Sequence, residues 1–350
     1  MVLLSRTSEV ITIISALAGL IPSDANRGSL TFRVWVGKDG AGGSDEHKLN
    51  SAGGHIPEIQ VWDTANKLNG KYHGNRIRAK GNFGKYFRDR VSVRNNEQFT
   101  AALPLSRTSQ IANIWLLMRS NYGYRTDGIC MTTFSWQASD NIPPSASANS
   151  GVLPGDLLYF CGYPWYYSGN GLNGRDFRCA WLDADNSIPR TPYFVNINVG
   201  VMGKDSVKNF EDKDLCGLGV GVAVDGRIRK RAIEGDIAAH RKAFGNRANV
   251  HQSLSAIALC DSPTSWGSSF YCIDEGVFCD MSTKTKYKIC DANSTEPCAS
   301  YEQTLKRDGS SKIVIENPGA RPSTKPIEFV AEYFTITDFN GTVIDDGMGL

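Results

Sequence analysis

The chain is poor in the residues by which most enzymes are recognised. Only five histidines occur in 350 residues. None forms an H-E-x-x-H pair and no G-x-S-x-G elbow exists, which leaves out the zinc-peptidase and serine-hydrolase signatures. Excess charge is also lacking: the formal net charge is +2, too small to capture nucleic acid electrostatically, so no nucleic-acid partner is expected. No long apolar run follows the first 25 residues, and the run Val10–Ile21 falls short of the roughly 20 residues that a bilayer core demands, so no membrane span is expected. Short C-x2-C pairs are missing; Cys272-x6-Cys279, Cys279-x10-Cys290 and Cys290-x7-Cys298 are not zinc spacings. The sequence therefore calls for no metal and no cofactor.

Cysteine is absent from residues 26–129 and again from 299–350, yet nine lie between Cys130 and Cys298. Such density suits disulfides formed in an oxidising compartment, and the odd number leaves one thiol over from four bridges. Cys161 is expected to bridge Cys179, tying the base of the intervening loop. Residues 1–25 read as a signal peptide, with Arg6 ahead of the apolar run and small residues at Ser23 and Ala25. The sequons at Asn293 and Asn340 agree with a secreted, extracellular glycoprotein.

Aromatics at 10%, with 35 glycines and 14 prolines, describe a turn-rich, mainly β chain. Leu30, Phe32, Val34 and Val36 alternate with Thr31, Arg33 and Trp35, which predicts a half-buried strand. Glu58–Asp63, Ile111–Met118, Ile129–Trp136, Asp156–Cys161, Phe177–Asp183, Tyr193–Met202, Lys312–Glu316 and Glu328–Thr337 are further expected strands. One short helix is expected over Ala232–Phe244, with Gly245 at its C-terminal cap. The fold expectation is an antiparallel β-sandwich over 26–186, a Pro-bearing joint at 187–192, and a disulfide-rich, β-rich second half over 193–350.

Candidate chemistry is sparse. The aromatic run Tyr163, Trp165, Tyr166 and Tyr167, followed by Asn170, has the composition of a sugar-stacking platform flanked by amides, or of a protein interface; its competing reading is a core strand. Glu275 and Asp280 could meet across a hairpin as a carboxylate pair, and His240 on the expected helix is a candidate base; solvated turns and a helix-face histidine are the simpler readings. Lys230-Arg231 is a dibasic processing signal within the basic run Arg227–Arg231. Asp183-Ala-Asp185 imitates the start of a calcium loop but has Ile188 at the glycine position. The resulting expectation is an extracellular binding or effector-like protein that recognises a glycan or protein ligand. A secreted, glycan-directed hydrolase is the alternative.

Two stretches carry a resemblance. Asp127-Gly-Ile-Cys130 with Cys161-Gly-Tyr-Pro-Trp-Tyr-Tyr167 and Cys179-Ala-Trp-Leu-Asp183 form the first, within 127–183. Cys260-Asp-Ser-Pro-Thr-Ser-Trp-Gly267 with Asp274-Glu-Gly-Val-Phe-Cys-Asp280 form the second, within 260–290. Both resemble Cys-rich secreted β proteins of filamentous fungi, a group without an established activity. The resemblance implies a fungal, extracellular setting and assigns no functional residue. Leu30–Asp45 is similar to the opening strand and Gly-rich turn of PLAT-type β-sandwiches, which implies a sandwich fold only.

Overall fold

In a computed structural model the protein is mainly β. The described residues are 29–38, 52–72, 75–76, 89–90, 92–94, 96–105, 110–118, 128–139, 149–160, 163, 165–172, 175–183, 192, 194–199, 237, 240–241, 244–302, 311–318, 326–338 and 342–346. The signal peptide, Lys230, Arg231, Asn340 and Cys161 lie outside them.

The N-terminal part is a sandwich. Its larger sheet is built around β1 (Ser29–Val36), which pairs antiparallel with β8 (Gln98–Pro104) and β10 (Ile129–Ala138). Beyond β10 lie β13 (Arg175–Leu182) and β12 (Trp165–Leu172), while β11 (Asn149–Val152) pairs with the other end of β10. The facing sheet has the order β14 (Phe194–Asn198), β9 (Ile111–Leu117), β3 (Glu58–Asp63), β4 (Leu68–Tyr72). Remaining short strands are β2 (Gly54–His55), β5 (Asn75–Arg76), β6 (Asp89–Arg90) and β7 (Ser92–Val93).

Period-two alternation decides what fills the space between the sheets. Leu30, Phe32 and Val34 of β1 meet Ile59 and Val61 of β3, Ile114 and Leu116 of β9, and Val195 and Ile197 of β14, every one fully buried. Thr31 and Trp35, expected on an open face, are buried as well. For Trp35 the cover is Phe177 together with Leu153, the residue that leads into a helix. Asp156–Phe160, expected as a strand, forms α1 (Pro154–Phe160), whose first position suits proline because that N–H has no helical partner. Asp156 anchors it to β13 through Arg175 and Arg178, both at 3.0 Å. Leu153 and Phe177 then close over Trp35.

The second half is a curled seven-stranded sheet. Its order is β18 (Thr285–Lys288), β17 (Val277–Asp280), β16 (Ser269–Cys272), β15 (Arg247–His251), β21 (Ile327–Tyr333), β20 (Ser311–Glu316), β19 (Cys298–Glu302). The pairs β15/β16 and β15/β21 are parallel. Its edges meet, because Ile289 just past β18 bridges Ala299 in β19. Inside this barrel pack Val250, Phe278, Ile313, Phe329 and Ala331. Ser255 caps the short α2 (Ala256–Asp261) by accepting from the Ala258 N–H. The described residues of the helix expected at 232–244, namely Ile237, His240, Arg241 and Phe244, are helical, and Gly245 ends it at φ 64°, donating to the Arg241 carbonyl.

The halves share one core across the expected joint at 187–192. Trp165, Tyr166 and Tyr167 pack with Phe270 and Phe334. The chain then returns to the first sheet, where Thr337 of β22 (Ile336–Thr337) pairs parallel with Asn170, and β23 (Val343–Asp345) lies outside β22.

Disulfides join Cys260 to Cys279 and Cys290 to Cys298. Cys179 bridges Cys130, with Cα atoms 5.3 Å apart, and not Cys161. The register explains this correction: Met131 lies opposite Ala180 and Cys130 opposite Trp181, so the two cysteines sit diagonally on adjacent strands. Cys272 is a buried free thiol, and burial pushes its pKa up, which suits an inert core residue. No helix among the described residues is long and apolar enough to cross a membrane.

Candidate functional site

The aromatic run expected to meet a ligand is the seam between sandwich and barrel. Trp165, Tyr166, Tyr167 and Asn170 are all buried and Tyr163 is half-buried, so none of the first four offers a ring face or amide to solvent. Trp165 exchanges backbone hydrogen bonds with Thr264 and Trp266, and its Nε1 donates to Ser262 Oγ at 3.1 Å. Tyr166 Oη donates to the Ser268 carbonyl at 3.2 Å and accepts from Asn249 Nδ2 at 2.8 Å. Tyr167 Oη donates to the Ser255 carbonyl at 3.3 Å. A Cβ at Gly267 would overlap the Tyr166 ring, so glycine is required there. Asn170 accepts from Thr132 Oγ1 at 2.8 Å and donates to Asn96 Oδ1 at 2.6 Å, a satisfied interior network. Aromatic bodies with polar tips serve an internal interface here.

The carboxylate pair does not form. Glu275 precedes β17 and accepts from Ser255 Oγ and, at 3.0 Å, from the Ile257 N–H, which secures the start of α2. Asp280 ends the same strand and accepts from the backbone N–H and hydroxyl of Ser282 at 2.9 and 2.6 Å. Each carboxylate is thus committed to the backbone and hydroxyl groups of its own neighbourhood, Glu275 in the turn before β17 and Asp280 at that strand's end. Asn293 is exposed in a turn, accessible to modification.

His240 is buried against Phe244 and Trp266, with Nε2 at 2.7 Å from the Gly267 carbonyl. Desolvation pulls its pKa down to about 4, so it is a neutral core imidazole whose Nε2–H donates to that carbonyl. The folded state therefore binds this proton less readily than the unfolded chain, whose histidine titrates near 6.5. Its contribution to stability is complete above about pH 6.5 and drains away as pH falls towards 4, by up to about 3 kcal/mol. Urea unfolding between these limits is expected to show this slope in the parent and a flatter one in His240→Gln. Desolvation also lowers the pKa of half-buried Lys284, to about 7, while its amine faces the carbonyls of Leu259 at 3.1 Å and Ser265 at 2.8 Å. Among the described residues no set of three or more His, Cys, Asp or Glu side chains could hold a metal ion.

The outward face of the four-stranded sheet has a different character. Register places Leu68, Trp62 and Asn113 in one row across the strands. Lys71, Gln60, Trp115 and Asn196 form the next row, then Glu58, Leu117 and Phe194. Trp62, Trp115 and Phe194 thus lie on a diagonal. Their rings touch, Trp62 to Trp115 at 4.9 Å and 35°, and Trp115 to Phe194 at 4.9 Å and 75°. All three are half-buried, and Leu68, 40% exposed, continues the line to the edge strand. The amides of Asn113 and Asn196 flank this ridge on one side and Gln60 on the other. Gln60 donates to Glu58 at 2.5 Å, and Lys71 pairs with the same Glu58 oxygen at 3.0 Å. The indole N–H of Trp62 is shielded from solvent and has no hydrogen-bond partner.

These residues were within reach of the sequence. In Glu58-Ile-Gln-Val-Trp-Asp63 and Ile111-Ala-Asn-Ile-Trp-Leu-Leu117 the alternate positions opposite the core carry an amide and a tryptophan each, with Glu58 as the one charge among them. Comparison with protein-family models, curated proteins and solved structures finds no match, so the reading of this face rests on its chemistry alone.

Proposed function

We propose that the protein is an exported glycan-binding protein whose ligand lies on the outward face of β14, β9, β3 and β4. The carrying observation is the Trp62–Trp115–Phe194 ridge, three half-buried rings in mutual contact on the side of the sheet away from the core. Sugar rings present apolar C–H faces that match aromatic rings, and rims of hydroxyls that match amides. Disulfides and an exposed sequon at Asn293 favour an extracellular setting. Catalysis has no comparable support, since Glu275, Asp280 and His240 each serve the interior.

A glycan array read with the full chain, followed by calorimetry on the best ligand, tests this reading. Trp115→Ala is expected to weaken binding at least about tenfold, equivalent to about 1.4 kcal/mol, with the circular dichroism spectrum retained. A folded Trp115→Ala protein that binds as tightly as the parent would refute it, as would a parent that binds no glycan.

A further inference from the structure

Away from the ridge, the barrel side of the seam carries a titratable group with a conflict built into its hydrogen bonds: His251, the last residue of β15. We infer that His251 is an acid-sensitive latch. A proton taken up at its Nδ1 releases the turn over residues 252–255 and, with that turn, the barrel's hold on Tyr167.

The tautomer sets the conflict. The His251 ring is fully buried, and its Nδ1 accepts from the backbone N–H groups of Ser253 at 3.1 Å and Leu254 at 3.0 Å. A nitrogen that accepts presents a lone pair, so the single proton of the neutral ring sits on Nε2. Among the described residues Nε2 has no hydrogen bond, and it lies 3.4 Å from Asp345 Oδ2. The second proton of an imidazolium can therefore go only to Nδ1, where it would meet two N–H donors. Protonation and these two hydrogen bonds exclude each other.

Position gives the event its reach. The turn is tied to its own sheet by the His251 and Gln252 carbonyls, which accept from the Ile273 and Asp274 N–H groups, each at 3.0 Å. Ser255 ends the turn. Its hydroxyl caps α2, and its carbonyl accepts from Tyr167 Oη at 3.3 Å. The two amides that lose their acceptor thus lie in a segment that joins barrel, helix and sandwich.

The surrounding charges set the direction. Those facing the ring are Asp345 and Asp346 at β23, Asp176 of β13, and Asp274 after β16, all carboxylates that favour the cation. Burial opposes them and outweighs them, which holds the pKa below the ordinary value of 6.5. An opened turn wets the ring and restores that value, so the open form binds the proton more readily. The closed form keeps its full advantage above about pH 6.5 and loses it as pH falls below, by up to about tenfold per pH unit.

The test is amide hydrogen exchange on the full chain at about pH 7 and about pH 5, with rates corrected for intrinsic exchange. It is run on the parent and in a His240→Gln background, which removes the slope of the other buried histidine. Protection of the Ser253 and Leu254 amides is expected to fall at least about fivefold at the lower pH in both proteins. In His251→Asn the side-chain oxygen can accept where Nδ1 does but cannot titrate. That variant is expected to keep protection at pH 7 within about twofold and to lose the dependence on pH. Nitrogen-15 NMR of histidine-labelled parent protein is expected to show a bare Nδ1 at pH 7 that protonates as the two amides lose protection. Equal protection of these amides at both pH values, a proton on Nδ1 at pH 7, or an undiminished pH dependence in His251→Asn would each overturn the latch. Should a variant fail to fold, the two measurements on the parent decide. None of these outcomes bears on the glycan-binding reading, which involves the opposite sheet.

Discussion

Replacing Trp165 by alanine is expected to cost about 3–5 kcal/mol of folding stability. Its ring is 1% exposed and packs edge-on against Tyr159 and Tyr167 at 5.1 and 5.6 Å. The Arg178 guanidinium lies 5.0 Å from it, and its indole N–H holds Ser262. Truncation would leave a cavity at the seam between sandwich and barrel and remove the hydrogen bond to Ser262. Urea unfolding should show a lower midpoint with an unchanged slope. Trp115→Ala is the counterpart. Its ring is half exposed, so the expected loss of stability is smaller and the loss of ligand larger. A Trp165→Ala protein as stable as the parent yet unable to bind glycan would reverse the assignment of both residues.

The second large effect concerns the link between β10 and β13. Its two cysteines are 49 residues apart in sequence, and chain-entropy bookkeeping gives a closed loop of that length about 4 kcal/mol. Substituting Cys130 and Cys179 together by alanine is expected to lower stability by an amount of that order. The double substitution avoids leaving a reactive thiol. A non-reduced peptide map should recover Cys130 and Cys179 in one linked pair, and Cys272 should resist alkylation until the protein is denatured. A map that links Cys179 to Cys161 would contradict the strand register.

The strands were legible because alternation is a local signal. Leu30–Val36, Glu58–Asp63 and Ile111–Met118 each show it and each forms a strand, and Leu30, Phe32, Val34 and Val36 share the buried face as expected. What failed depended on distant partners. Asp156–Phe160 has strand-like Leu, Tyr and Phe, yet the two arginines that fix it as a helix lie 19 and 22 residues on. The pairing of Cys179 depends on which strand lies beside it, a long-range fact that spacing does not encode. Aromatic density at 163–167 was visible, but a cluster of rings does not say which surface will cover it. Here the cover is a barrel assembled from residues 245 onwards. On the opposite sheet the informative signal was the unusual chemistry of outward positions, spread over strands more than 50 residues apart in sequence and joined only by folding.

The return of the chain to its first sheet also sets an order of events. Asn170 meets Thr337 across a parallel bridge, and Gly171 packs against Ile336 and Ile344. Strands β1, β8, β10, β12 and β13 can therefore emerge from a ribosome and begin to pair, but one margin of that sheet stays bare until residues 336–345 follow. During that interval the nascent protein carries an unprotected strand edge, and emergence of residues 336–345, not completion of the sandwich strands before them, is the step that seals it.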